Sequence, residues 1–248
     1  MIAYNKSMKQ RLDQLLTAKG LVISRSQAES WIRLGKVTVD GKVVTKPGAA
    51  ANEDADIQLH ASEQYVSRAG LKLASVADTL HLQFKDIVML DVGSSTGGFT
   101  DYALQHGARK VIAVDVGTDQ LHPSLHGDAR IELHEQTDIR DMKQLSETPD
   151  LVVIDVSFIS LRDILPYVAR LIGPQTIIAA MVKPQFEARE SSVKHKGVIK
   201  NDRMRRDILK DFELWAMDHF IISDKADSDV AGTKGNRERF YALKAKRA

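Results

Sequence analysis

Residues 86–117, DIVMLDVGSSTGGFTDYALQHGARKVIAVDVG, decide the fold. Two short apolar runs, each ending in Asp-Val-Gly, flank the helical pattern GGFTDYALQHG. Apolar runs of this length, bounded by turn residues and rich in Val and Ile, read as buried strands. A strand, a turn, a helix and a second buried strand form a βαβ unit, the repeat of a parallel sheet covered on both faces. Working outward, the same reading predicts strands at 131–136, 150–160 and 175–184. Helices are expected at 161–172 and 202–220. Near the end, FIIS (220–223) and RFYALKA (239–245) read as strands with only a loop between them, so an antiparallel hairpin is expected.

Upstream the pattern changes. Leu12, Leu15 and Leu16 recur at helical spacing over residues 7–20, which Gly20 would end. A second helix is predicted from Ser26 to Leu34, with Ser26 as N-cap and Glu29 completing a capping box. Val37, Val39, Val43 and Val44 flank Asp40-Gly41, a strong hairpin signal, and DIQL (56–59) could close a small sheet. The expected organisation is a small α+β module over 1–60, a linker over 61–67 and an α/β domain over 68–248.

Composition narrows the function classes. The 248 residues contain no cysteine, which removes disulfides, thiol nucleophiles and thiolate metal sites together. No apolar run approaches the ~18 residues that cross a bilayer. The first residues lack the pattern of a secretory signal, so a cytoplasmic location is expected. The net charge of +2 hides an asymmetry: residues 1–49 hold nine Lys/Arg against three acids, and residues 234–248 hold six against one. Basic ends of this kind favour a polyanion through phosphate attraction and counterion release.

The turn Asp91-Val92-Gly93-Ser94-Ser95-Thr96-Gly97-Gly98-Phe99 is neither a G-x-G-x-x-G fingerprint nor a Walker loop. Its glycines still permit close approach of a ligand to backbone. Asp115 ends the second strand 24 positions after Asp91, where a carboxylate suits a ribose diol. Asp138 follows the third strand and could face an adenine amino group. A glycine turn with successive acids at the strand tips fits an adenosine ligand carrying no phosphate, and S-adenosylmethionine is such a ligand. Asp155 and Lys183 end the fourth and fifth strands, Lys72 lies on the helix entering the domain, and Glu238 opens the last strand. Any one of these four alone reads as an ordinary salt bridge. Together they could position a hydroxyl group toward an electrophilic methyl group. His122 and His126 flank Pro123 with no HExxH around them, and no metal site is expected.

These elements together resemble the TlyA family of bacterial proteins, often labelled "hemolysin A" and similar to the FtsJ/RrmJ group of ribose 2′-O-methyltransferases. The turn DVGSSTGGFTD, the strands VIDVSFIS and MVKPQFE and the ending GNRERF carry the resemblance. Arg11-Leu12-Asp13, Ser24-Arg25-Ser26-Gln27-Ala28, Gly35-Lys36-Val37 and Val39-Asp40-Gly41 resemble the S-four type RNA-binding motif. The resemblance covers essentially the whole chain. It implies a Rossmann-like, mostly parallel methyltransferase sheet, S-adenosylmethionine as methyl donor and ribosomal RNA cytidine as acceptor. It implies Lys72, Asp155, Lys183 and Glu238 as a catalytic tetrad in which Lys183 orients or deprotonates the 2′-hydroxyl. Asp91, Gly93, Ser95, Thr96, Gly97 and Phe99 would line the cofactor site, with Asp115 on the ribose and Asp138 on the adenine. Arg11, Arg25, Lys36 and Lys42 would contact RNA. Three other readings compete. A pseudouridine synthase would need its aspartate on a core sheet, whereas Asp13 falls within the first predicted helix. A cytolysin would need a membrane-inserting segment, which the sequence lacks. An RNA-binding protein with a dead methyltransferase domain would not need the four residues intact.

Overall fold

The computed structural model describes residues 9–22, 24–60, 65–188, 198–199, 201–232 and 235–246. The chain divides into two compact units, Met1–Arg68 and Ala69–Ala248.

In the first unit the order is β1 (Lys9–Arg11), α1 (Leu12–Ala18), α2 (Arg25–Arg33), β2 (Val37–Val39), β3 (Lys42–Val43), β4 (Ala50–Asn52) and β5 (Ile57–Leu59). Leu12, Leu15, Leu16, Ala28, Ile32 and Val37 are buried and form its core. Asp40 and Gly41 both take left-handed backbone (φ 49° and 74°), joining β2 to β3 as the sequence predicts. β5 pairs with β2 on its other side.

Two local expectations fail. Residues 9–11 are not helical. They pair antiparallel with Asn52–Ala50, and the Leu12 and Asp13 amides donate to the carbonyls of Ala49 and Pro47, so tertiary pairing holds the chain extended until the helix begins. The second helix starts earlier than Ser26, which lies inside it. Its cap is Ser24, whose side chain accepts from the Gln27 amide at 3.2 Å.

The second unit runs α3 (Arg68–Ala77, opening at the boundary), β6 (Val88–Val92), α4 (Gly98–Gln105), β7 (Lys110–Val114), β8 (Ile131–His134), β9 (Leu151–Ile154), α5 (Leu165–Leu171), β10 (Ile177–Val182), α6 (Pro184–Glu187), α7 (Asp202–His219), β11 (Phe220–Asp227) and β12 (Arg239–Ala245). The sheet order is β11-β12-β10-β9-β6-β7-β8. The five strands from β10 to β8 are parallel; β12 runs antiparallel to both β10 and β11. Val88, Leu90, Val152, Ile154, Ile178 and Ala180 are buried side by side beneath Leu165, Val168, Leu209 and Phe212 of the helices. At ~1.5–3 kcal/mol for each large side chain removed from water, this layer dominates stability.

Strand order reverses at β6, which has β7 on one side and β9 on the other. Such a switch point opens a crevice beyond the carboxyl ends of the strands. The turn leaving β6 is shaped by two glycines. Gly93 has φ 83°, and a Cβ there would stand 2.6 Å from the Asp155 carbonyl oxygen. Gly97 has φ 84° and caps α4, where a Cβ would meet Leu121 and Leu125. No other residue type fits either place without movement of its neighbours.

Candidate active site

A cavity of about 480 Å³ lies in that crevice. Gly93 and Ser95 of the turn, Asp115, Asp138 and Asp155 line it, with Val116, Gln120, Arg140 and the segment Val156–Ile159. Five of the residues expected at the site therefore share one wall. A second cavity of about 340 Å³ lies at the opposite ends of the strands, around Ile87, Asp150 and Ile177, and holds none of them.

Asp115 ties the turn together. One oxygen accepts from the Ser95 amide at 2.8 Å and the other from the Gly117 amide at 2.7 Å. Asp138 is engaged by Arg140, whose side-chain nitrogens donate at 2.6–3.1 Å and whose amide donates at 2.9 Å; that hydrogen bonding holds the acid below its ordinary range. Asp115 Oδ2 keeps a lone pair for a ligand, whereas each oxygen of Asp138 already accepts twice from Arg140.

Three cofactor-site expectations end up behind the cavity wall. Phe99 is 2% exposed and packs on Phe240 with ring centroids 6.0 Å apart, so it belongs to the core. Asp91 is 1% exposed, with its Oδ2 accepting from the Thr100 hydroxyl at 2.7 Å. Burial, opposed by that hydrogen bond and reinforced by the Asp155 charge, lifts its pKa to about 7. Gly97 is buried against Leu121 and Leu125. Thr96 stays exposed, and its carbonyl accepts from the His122 amide.

The four residues of the expected tetrad form two ion pairs on adjoining elements. Lys183 Nζ lies 2.5 Å from Asp155 Oδ1 and donates to Ser157 Oγ at 2.8 Å. Lys72 Nζ lies 2.6 Å from Glu238 Oε2, the two side chains being 9% and 3% exposed. The β10–β12 ladder ends at Val182↔Arg239, so Lys183 and Glu238 are the next residues on neighbouring strands. Asp155 belongs both to the Lys183 pair and to the cavity wall. The arrangement offers a lysine ammonium fixed by a carboxylate and a hydroxyl, and that carboxylate also lines the cavity.

Sequence reasoning missed Ser157, Phe158 and Glu187. Phe158 is 79% exposed at φ 66°, and its ring centroid lies 5.2 Å from that of Phe186. A left-handed aromatic residue has no local sequence signal, since Gly or Asn is the usual marker. Phe158 lines the same cavity as Asp155.

In the first unit, Asp13 is fully buried. Arg11 donates to it at 2.7 and 3.0 Å and Arg25 at 3.0 Å. Burial pushes the acid up, but the two guanidiniums outweigh it and leave it below its ordinary range. Asp13 is thus a brace rather than a nucleophile. Arg11 and Arg25 remain about half exposed, and Lys36 and Lys42 are exposed. Among the described residues, no helix is long and apolar enough to cross a membrane, and no group of three or more acids and histidines could hold a metal ion.

Residues 65–245 match the FtsJ-like methyltransferase family and residues 10–57 match the S4 domain. The chain belongs to the FtsJ-like methyltransferase family, in the group that carries an S4 domain ahead of the methyltransferase domain. Among its relatives, YqxC of Bacillus subtilis, provisionally named an rRNA methyltransferase, is 40% identical over 94% of this chain and 84% of that one. The 16S/23S rRNA (cytidine-2′-O)-methyltransferase TlyA of Mycobacterium tuberculosis is 36% identical over 94% of this chain and 89% of its own length. A solved structure from Streptococcus thermophilus, labelled as a hemolysin, superposes with a TM-score of 0.71 at 35% identity, covering 98% of this chain and 90% of that chain.

Proposed function

We propose that the chain transfers a methyl group from S-adenosylmethionine to a ribose 2′-hydroxyl of ribosomal RNA, a cytidine by analogy with the named relative. The observation that carries the reading is the Lys183–Asp155 pair, because Asp155 also lines the adenosine-sized cavity. The residues present fit the cofactor: a Gly93 that no side chain could replace, a pair of tip acids, and apolar Val116, Val156 and Ile139 along the wall. Bound there, S-adenosylmethionine supplies an electrophilic methyl group already activated by its sulfonium.

What remains for the protein is positioning. Lys183 donates toward the ribose oxygen and turns a lone pair to the methyl carbon. Asp155 and Ser157 fix that ammonium, and Lys72 with Glu238 confines the approach from the neighbouring strand. The transfer would form an O–C bond as the methyl's bond to sulfur breaks, and the hydroxyl proton would pass to the Asp155 carboxylate, since an ammonium has no lone pair to take it. Holding reactants in line is worth several orders of magnitude in rate. Phe158, exposed at the mouth, offers a face on which an unstacked base can rest. The S4 unit supplies the half-exposed guanidiniums of Arg11 and Arg25 for phosphates, together with the exposed Lys36 and Lys42.

The test incubates the protein and methyl-labelled S-adenosylmethionine with ribosomal subunits from cells lacking the enzyme. Label is expected in alkali-resistant 2′-O-methyl nucleotides, and it should vanish with Lys183→Ala. Bound cofactor with no label in either subunit would overturn the reading.

A further inference from the structure

We propose that Glu187 is a positioning residue for this transfer: its carboxylate clips the loop after β9 to the turn after β10 and so holds Asp155, Ser157 and Lys183 in register. The inference rests on the reading of Lys183 and Asp155 as the reacting pair.

The β9–β10 ladder ends at Ile154↔Ala180. Beyond it the two chains separate. One carries Asp155, Ser157 and Phe158; the other carries Lys183 and then α6. Asp155 is still tied to β6, its amide donating to the Val92 carbonyl at 3.0 Å, but among the described residues no backbone hydrogen bond joins the loop carrying Ser157 and Phe158 to the turn after Lys183. Glu187, at the end of α6, is 4% exposed and lies outside the cavity lining. Its Oε2 accepts from the Ser160 hydroxyl at 2.6 Å and its Oε1 from the Leu161 amide at 2.7 Å. Ser160 Oγ in turn accepts from the Arg162 amide at 3.1 Å, which commits its own proton to Glu187.

Arg162 completes the anchorage. Its Nε lies 3.5 Å from Glu187 Oε2, its Nη2 donates to Asp211 of α7 at 2.8 Å, and its guanidinium sits 5.7 Å from the Trp215 ring centroid. The loop is thereby tied to a long helix as well as to α6. Phe158 against Phe186 makes a second contact across the same gap, two residues from Ser160 on one side and one residue from Glu187 on the other. A buried carboxylate is costly unless donors satisfy it. Here every identified donor belongs to the loop that carries Asp155, so the stabilisation it gains depends on that loop being in place.

The test uses the full chain with Glu187→Gln and, separately, Ser160→Ala. Gln is isosteric but presents a donor to one of the two donors that Glu187 now receives. Ser160→Ala removes one strut without touching α6, and it keeps the test open should the first variant misfold. Hydrogen exchange is expected to quicken ~10-fold or more at the amides of residues 157–162, with β9 and β10 unchanged and a thermal midpoint within a few degrees. At saturating substrates kcat should fall ~10-fold or more, while KM for rRNA and cofactor stays within ~3-fold. Faster exchange with unchanged kcat would overturn the positioning role. So would a loss confined to KM or to the thermal midpoint, which a merely structural residue would give. Unchanged exchange would overturn the clip itself. A wild-type chain that moves no methyl group would overturn the functional reading and the catalytic half of this proposal with it, while exchange still decides the clip.

Discussion

Asp13 in the small unit and Asp155 in the large one are both carboxylates held by cations, and they are used in opposite senses. Asp13 is itself fully buried, and its partners Arg11 and Arg25 have side chains 47% and 51% exposed. Lys183 and Asp155 are 10% and 15% exposed, and Lys72 and Glu238 still less. In the first arrangement a hidden acid orients two guanidiniums toward solvent, where a polyanion would meet them. In the second the cation and its acid are both sunk, so only a group that enters the crevice can use them. The same ion pair chemistry presents charge in one unit and reserves it in the other. An ammonium with little access to water acts strongly on what it touches, since screening is weak there.

The largest effect should separate the two uses. Lys183→Ala is expected to lower kcat by ~10³-fold or more with cofactor affinity changed only a few-fold, because positioning and proton handling are lost together. Arg25→Ala should leave kcat at saturating RNA nearly unchanged. Single-turnover transfer and calorimetric cofactor binding on both variants would decide. If both lose kcat equally, the units do not divide the work as their ion pairs suggest.

A second test reaches the deeper pair without touching a charge. Gly232 carries no left-handed backbone, yet a Cβ there would stand 2.6 Å from Glu238 Oε1. Gly232→Ala must therefore shift the Glu238 carboxylate, whose other oxygen holds Lys72, or the backbone at 232. A fall in kcat of ~10–100-fold is expected, since small misplacements at a reacting centre are expensive. Equal activity in steady-state assay would mean that Lys72 and Glu238 tolerate displacement and serve stability only.

How far this division could be read beforehand differs between the units. The parallel strands, the glycine turn and β12 over Arg239–Ala245 are legible because continuous apolar runs and turn residues are local signals. Asp155, Lys183 and Glu238 are legible as strand-tip residues for the same reason. β1 is not, because Lys9–Arg11 is extended only by pairing with β4, a partner about forty residues away. The cap at Ser24 loses to Ser26 on pattern, since Glu29 completes a box for the wrong serine. Phe99 reads as a ligand contact only through the family resemblance, and the structure shows instead that it packs on Phe240. Glu187 stands in the MVKPQFE segment that carries the resemblance, but its role is not legible there, because its donors come from another loop, 26 and 27 positions away.

The brace in the small unit should give a smaller effect. Asp13→Asn removes the charge that fixes both guanidiniums while keeping the side chain's size. Restoring their freedom should weaken RNA binding by ~3–10-fold, the cost of re-ordering about one side chain on contact. Fluorescence anisotropy at two salt concentrations would measure it. The salt slope should hold, because no phosphate-binding cation has been deleted. A flattened slope would show instead that Asp13→Asn displaces an arginine from the RNA altogether.

The smallest expected effect concerns Asp91, the acid hidden behind the turn, beside which no cation stands among the described residues. Its folded pKa of about 7 stands above the ordinary 3.8, chiefly through burial, with the Asp155 charge adding to it. An acid raised in this way binds a proton more tightly folded than unfolded. The stabilisation it gives is therefore complete below pH ~4 and is lost as pH rises toward ~7, beyond which the fold carries an unpaired buried charge. Asp91→Asn has no such charge and keeps an acceptor for the Thr100 hydroxyl. Its thermal midpoint relative to the wild type should climb by ~5 °C between pH 5 and pH 8, most steeply between about pH 5 and pH 6. Repeating the series with Asp155→Asn should shrink the climb, because one of the two neighbouring charges that oppose ionisation would be gone. A midpoint difference that stays constant across pH would mean that Asp91 is already ionised at pH 5, with its charge offset from a direction that burial among β6, α4 and Asp155 does not supply.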